Sequence, residues 1–108
     1  MQVPQGLLSL ALLVPLGAIA QTLEFSLTIK NHRFVPPELT VPAGKKLKLV
    51  IDNQDATPEE FESHALRLEK VIPGRSKGSL KLGPLKPGRY GFVGEFHEST
   101  AKGTLLAK

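Results

Sequence analysis

The stretch Leu23-Glu24-Phe25-Ser26-Leu27-Thr28-Ile29-Lys30 decides the fold class, because it alternates apolar and polar residues without interruption. Successive side chains on an extended chain point to opposite faces, so this pattern describes a strand with one face buried and one in water. The same period of two returns in Leu47, Leu49 and Ile51 set against Lys46, Lys48 and Val50, and in Leu66 and Leu68 against Arg67 and Glu69. It continues through Leu80 and Leu82, through Tyr90, Phe92 and Phe96, and at Leu105. Between the runs stand Pro36-Pro37, Pro42-Ala43-Gly44, Pro73-Gly74, Gly83-Pro84 and Pro87-Gly88, residues that favour turns and interrupt strands. Short strands punctuated this closely predict an all-β sandwich. One stretch departs from the rhythm: Thr57-Pro58-Glu59-Glu60 has the residues of a helix start, with an N-cap, a proline at the first position and a glutamate to close a capping box, so a single helical turn is expected there.

Outward from that pattern, the first twenty residues carry no charge and thirteen apolar side chains. The run Leu7 to Leu16 is short for a bilayer span, and Ala18-Ile19-Ala20 offers the small-x-small pattern of a cleavage site before Gln21. Residues 1–20 are therefore predicted to be a signal peptide and 21–108 the domain, which places the protein in the periplasm. No Lys or Arg precedes the apolar run, so an uncleaved membrane anchor is the alternative.

The 108 residues contain no Cys, and their one Met is Met1. Disulfide scaffolds, thiolate zinc sites, cysteine nucleophiles and iron–sulfur clusters are excluded, leaving oxygen and nitrogen chemistry. The formal charge of +4 does not point to nucleic acid. The lysines stand singly or alternate, as in Lys45-Lys46-Leu47-Lys48, and the aromatics form no stacking motif. Alternating lysines read as a solvated face that protects a strand edge, with attraction to an anionic membrane surface or an acidic partner as the other reading.

Two polar clusters carry candidate chemistry. Glu59, Glu60 and Glu62 crowd around Phe61, and Glu95 and His97 stand two apart in Tyr90-Gly91-Phe92-Val93-Gly94-Glu95-Phe96-His97-Glu98. On a continuing strand Glu95 and His97 would project side by side, a carboxylate–imidazole spacing that zinc, copper and iron accept, although a surface ion pair explains it as well.

These residues resemble a family. Ile29 to Leu39 with Phe34 and the proline pair, Val41-Pro42-Ala43-Gly44-Lys45, Asn53 to Ser63, Glu69 to Gly74, Leu82 to Tyr90, and Gly94-Glu95-Phe96-His97 through Gly103 are similar to the cupredoxin-like periplasmic proteins. The phrases Thr57-Pro58-Glu59-Glu60-Phe61-Glu62-Ser63 and Gly94-Glu95-Phe96-His97 resemble more closely the branch encoded with bacterial high-affinity ferrous-iron uptake systems. The resemblance implies a cupredoxin-like Greek-key β-sandwich. It also implies that the last loop should carry a Cys before His97 and a Met after it as copper ligands, and those positions fall at Gly94 and Ala101. Blue-copper electron transfer is rejected on that ground.

What the resemblance then implies is an oxygen–nitrogen metal site for a copper ion and/or an iron ion, with His97, Glu95, Glu62, Glu60 and His32 as metal ligands. His64 is a weaker candidate, and Glu59 and Glu98 read as solvated neighbours. The implied role is to assist Fe(II) uptake, either through Fe(II) oxidation as a ferroxidase or by binding alone. Its partners would be the metal ion and an inner-membrane iron permease or a periplasmic iron-binding protein. A non-catalytic metal buffer and a metal-free sandwich that docks a permease are the alternatives.

Overall fold

The structure is a computed structural model and describes residues 21–108; the predicted signal peptide lies outside the described residues. Nine strands follow in order: β1 (Leu23–Lys30), β2 (Arg33–Val35), β3 (Glu38–Val41), β4 (Leu47–Asn53), β5 (Glu59–Ser63), β6 (Leu68–Ile72), β7 (Ser76–Leu82), β8 (Gly88–Gly94) and β9 (Lys102–Ala107). They form two sheets, β2-β1-β4-β7 and β3-β9-β8-β5-β6. Both sheets are mixed, since β1 runs parallel to β4 and β3 parallel to β9 while the other pairs are antiparallel. The all-β sandwich expected from the period-two pattern is therefore the fold.

The alternation does what was expected of it in the central strands. Leu47, Leu49 and Ile51 of β4 and Leu27 and Ile29 of β1 are buried, and they meet Val41, Phe61, Phe92 and Leu105 from the facing sheet. Phe34, Phe61 and Phe92 close the core toward one end, the ring of Phe34 standing edge-on to Phe92 at 4.9 Å between centroids, an arrangement aromatic quadrupoles favour. Gly103 lies under that cluster, where a Cβ would stand 2.4 Å from the Phe92 ring. Among the described residues, every strand and every buried core side chain falls between residues 23 and 107.

Two local expectations are corrected. No helical turn forms at Thr57-Pro58-Glu59-Glu60; β5 begins at Glu59 instead, because Glu59, Phe61 and Ser63 alternate inward and their burial outweighs the local capping signal. At the other cluster β8 ends at Gly94, and Glu95–His97 form a 3₁₀ turn rather than more strand. Phe96 is accordingly 49% exposed and does not share the buried face of Phe92.

Strand directions give the sandwich two distinct ends. β1, β4, β6 and β8 run toward the end that carries Asn31, Asp55, Glu59 and the Glu95–His97 turn. The other end carries the loops around Lys45 and Lys86 and the carboxyl terminus of β9.

Candidate metal centre

The candidate residues gather at the first of these ends, held by polar contacts that begin in the core. Asn53, fully buried at the end of β4, directs its side-chain amide to the carbonyls of Thr57 (2.9 Å), Ile72 (3.1 Å) and Pro73 (3.2 Å). Its Oδ1 accepts from the Asp55 N–H at 3.0 Å. The Asp55 carboxylate in turn accepts from the backbone N–H groups of Asn31 (2.8 Å) and His32 (2.9 Å). Those two residues have φ of 54° and 56°, a left-handed conformation that non-glycine residues adopt at some cost, and Asp55 holds them in it. Desolvation opposes the charge on Asp55. The two N–H bonds and the nearby His32 and His97 rings outweigh it and hold the carboxyl below its ordinary value of 3.8.

Fixed this way, the ring of His32 stacks on that of His97, with centroids 3.6 Å apart and planes 12° from parallel. His97 Nδ1 meets Glu59 Oε2 at 2.6 Å. Glu59 Oε1 accepts from the N–H groups of Glu60 (2.9 Å) and Phe96 (2.8 Å). Glu59 is only 1% exposed, which corrects its reading as a solvated neighbour. Its carboxylate is accommodated because residue 94 has no side chain: a Cβ on Gly94 would lie 2.6 Å from the Glu59 carboxyl carbon and 2.7 Å from the Ala101 methyl. The space that a side chain at residue 94 would take is occupied by a carboxylate.

This geometry assigns roles. Two atoms bound to one metal at about 2.0–2.1 Å, at tetrahedral or square angles, stand roughly 3 Å or more apart, so the 2.6 Å contact is a hydrogen bond with no room for an ion between its partners. A carboxylate accepts and does not donate, so the tautomer this contact suits has its proton on Nδ1 of His97 and its lone pair on Nε2. A carboxylate that fixes the tautomer of a histidine is the usual outer partner of an imidazole ligand. His32 and His97 do not point at one ion in this arrangement. A metal in the plane of one stacked ring lies far out of the plane of the other.

The remaining candidates form a second cluster, on the outer face of the five-stranded sheet. Glu60 and Glu62 face outward from β5, opposite in sense to the buried Glu59, Phe61 and Ser63. Glu69 of β6 stands directly across from Glu62 in the register. Glu60, Glu69 and Glu95 offer carboxylate oxygens all within 4.8 Å of one another. Glu62 shares a hydrogen bond with Glu95, which together with lost hydration and the Glu95 and Glu69 charges raises its pKa above the ordinary 4.5, against an opposing pull from His64. Glu60 is raised as well, by lost hydration and by the charges of Glu95, Glu69 and Glu59. Among the described residues no Lys or Arg forms a salt bridge with any of these four.

The structure thus divides the expected ligand set. Glu60, Glu62 and Glu95 share the outer cluster, joined by Glu69, while His97 and His32 share the inner one, joined by Glu59 and Asp55. Glu95 and His97 are separated because a 3₁₀ turn advances about 120° per residue, so side chains two apart diverge where on a strand they would align. His64 opens the turn after β5 and is exposed, and Glu98 is exposed as expected. Glu59 was legible from the inward alternation with Phe61 and Ser63. Glu69 had no local signal, since its place depends on strand register.

Oxygen-only clusters suit hard cations such as iron, and an imidazole backed by carboxylate suits Cu(II). Comparison with known proteins agrees with the architecture. A family model described as a cupredoxin-like domain matches residues 6–107. An uncharacterised protein of Rickettsia prowazekii (strain Madrid E) is 46% identical over 84 residues, covering 78% of this chain and 67% of its own length. Among solved structures, auracyanin A, a blue copper protein from the green thermophilic photosynthetic bacterium Chloroflexus aurantiacus, superposes with a TM-score of 0.69 at 15% identity, over 82% of this chain and all of its own. A reduced amicyanin variant gives 0.64 at 17% identity, over 85% and 88%. At such identities the likeness is one of fold.

Proposed function

The chain belongs to the cupredoxin-like domain family, and from that premise we propose that it is a periplasmic metal-binding protein that takes iron or Cu(II) and assists Fe(II) uptake. The observation that carries this reading is the convergence of Glu60, Glu69 and Glu95, with Glu62 beside Glu95, at a place where like charges oppose one another and, among the described residues, no Lys or Arg closes a salt bridge. Such an arrangement costs stability in the absence of a cation. Glu60, Glu62, Glu69 and Glu95 would hold iron, and His97, oriented by Glu59, would supply an imidazole to Cu(II). Iron at this site is cargo, bound by charge and released by protons or by a better ligand.

Binding and delivery are favoured over Fe(II) oxidation. Transfer of an electron from Fe(II) to Cu(II) leaves Cu(I), for which oxygen and nitrogen donors are poor ligands, and the chain has no Cys and no Met beyond Met1. Equilibrium titration of residues 21–108 with Fe(II), Fe(III), Cu(II) and Zn(II) tests the assignment. Glu60→Gln/Glu69→Gln should lose iron and keep Cu(II), and His97→Ala should do the reverse. Unchanged affinity for all four ions in both variants would sink it. Oxygen consumption with Fe(II), with and without Cu(II), separates delivery from oxidation, and cell fractionation checks the compartment.

A further inference from the structure

The end of the sandwich opposite these clusters is rich in lysine. Lys48 of β4 and Lys81 of β7 stand directly across from each other in an antiparallel ladder, on the exposed face. Lys46 joins them, the three stems bordering one groove together with Thr22 and Gly83. Lys45 touches the same loop through its carbonyl, which crowds Gly83. The Gly44 N–H bonds to the Leu85 carbonyl beside Lys86, and the Ala43 N–H bonds to the carbonyl of Lys108. All six lysines are exposed, and among the described residues only Lys48 has an acidic partner, Glu24 at 3.9 Å.

Protection of a strand edge accounts for little of this. Of the six only Lys81 lies on an edge strand; Lys48 is on a strand paired on both sides, and the rest lie in loops or at the chain end. The facing Lys48 and Lys81 repel, so the fold itself gains nothing from them. A second observation points to what lies against this end. The Leu23 N–H bonds to the Lys46 carbonyl at 3.2 Å, so the uncharged, apolar stretch 1–20 joins the fold within about 10 Å of chain from the lysines. Whenever that stretch enters a bilayer, before cleavage or as a retained anchor, this is the end held against the headgroups.

We propose that the lysine end is a docking surface for the anionic headgroups of a phospholipid bilayer, which seats the protein with its carboxylate and imidazole clusters facing away from the membrane. This inference is independent of which metal those clusters take.

The experiment is co-sedimentation of residues 21–108 with vesicles of phosphatidylcholine alone or with about 30% phosphatidylglycerol, since each lysine near an anionic surface strengthens binding about fivefold. Binding should require the anionic lipid and should weaken between about 50 mM and 300 mM salt, as screening shortens the range of the attraction. Lys46→Gln/Lys48→Gln/Lys81→Gln should lower the partition coefficient at least about tenfold. The control triple Lys70→Gln/Lys77→Gln/Lys102→Gln, which has the same net charge with the lysine end intact, should stay within about twofold of the parent. Circular dichroism confirms that both triples keep the fold. Absence of binding at low salt overturns the proposal, and so does an equal loss in both triples, which would reduce the effect to net charge. Retention on immobilised polyglutamate without binding to vesicles overturns it in favour of an acidic polypeptide partner.

Discussion

Glu59 accepts three hydrogen bonds in a space that exists because residue 94 is Gly. Adding a methyl at Gly94 drives it into the carboxyl carbon and into the Ala101 methyl, so Gly94→Ala should lower stability by about 1–3 kcal/mol in urea unfolding. The loss should shrink in a Glu59→Ala background, where the obstruction is gone, and additive losses would show that the two positions do not share a volume. Glu59→Gln keeps the shape and removes the charge behind the His97 bond, with an expected cost of about 1.5–3 kcal/mol. The absence of sulfur was legible in the sequence. That a carboxylate from another strand fills the space was not, because volume shared between residues 59 and 94 is a tertiary fact. It follows that a thiol cannot be placed at residue 94 alone, since it would meet the same carboxylate.

At the scale of elements, the segment between β4 and β5 does the positioning. Asn53 ties it to the Ile72 and Pro73 carbonyls, and Asp55 ties it to Asn31 and His32. Asn53→Ala leaves buried carbonyls without their donor and should cost about 3 kcal/mol. It should also shift the NMR ring-proton resonances of both His32 and His97, because the loop that fixes their stacking loses its anchor; unmoved resonances would detach Asn53 from the histidine pair. Strands β1, β4 and the body of β8 were legible from alternation, since each buries one face. The end of β8 was not. Phe96 continues the apolar alternation, yet Glu59 takes its N–H and the chain turns at Gly94. Nor were the parallel pairings of β1 with β4 and β3 with β9, which join segments distant in sequence.

For the molecule as a whole, the two clusters give stability two opposed dependences on pH. Asp55 has a lowered pKa in the fold, so its contribution is present above 3.8 and is lost as pH falls through the folded value. Glu60 and Glu62 are raised, so the folded state binds protons more readily than the unfolded one, and stability is lost as pH rises from 4.5 through their folded values. The metal-free protein should therefore melt highest in mild acid and lower at neutral pH. Glu62→Gln should raise the neutral-pH Tm toward the acidic one, and identical profiles for parent and variant would remove Glu62 from the effect. A cation that binds only the fold reverses the trend, adding about 2.7 kcal/mol at a concentration of one hundred times its Kd and less in acid, where protons compete. The topology carries a further, mechanical consequence. β1 and β9 both have neighbours on either side and both reach the lysine end, one by its beginning and one by its finish. With the cluster end held, a force drawn through the amino end pulls β1 along its own length, loading its seven register pairs with β4 and three with β2 in shear together.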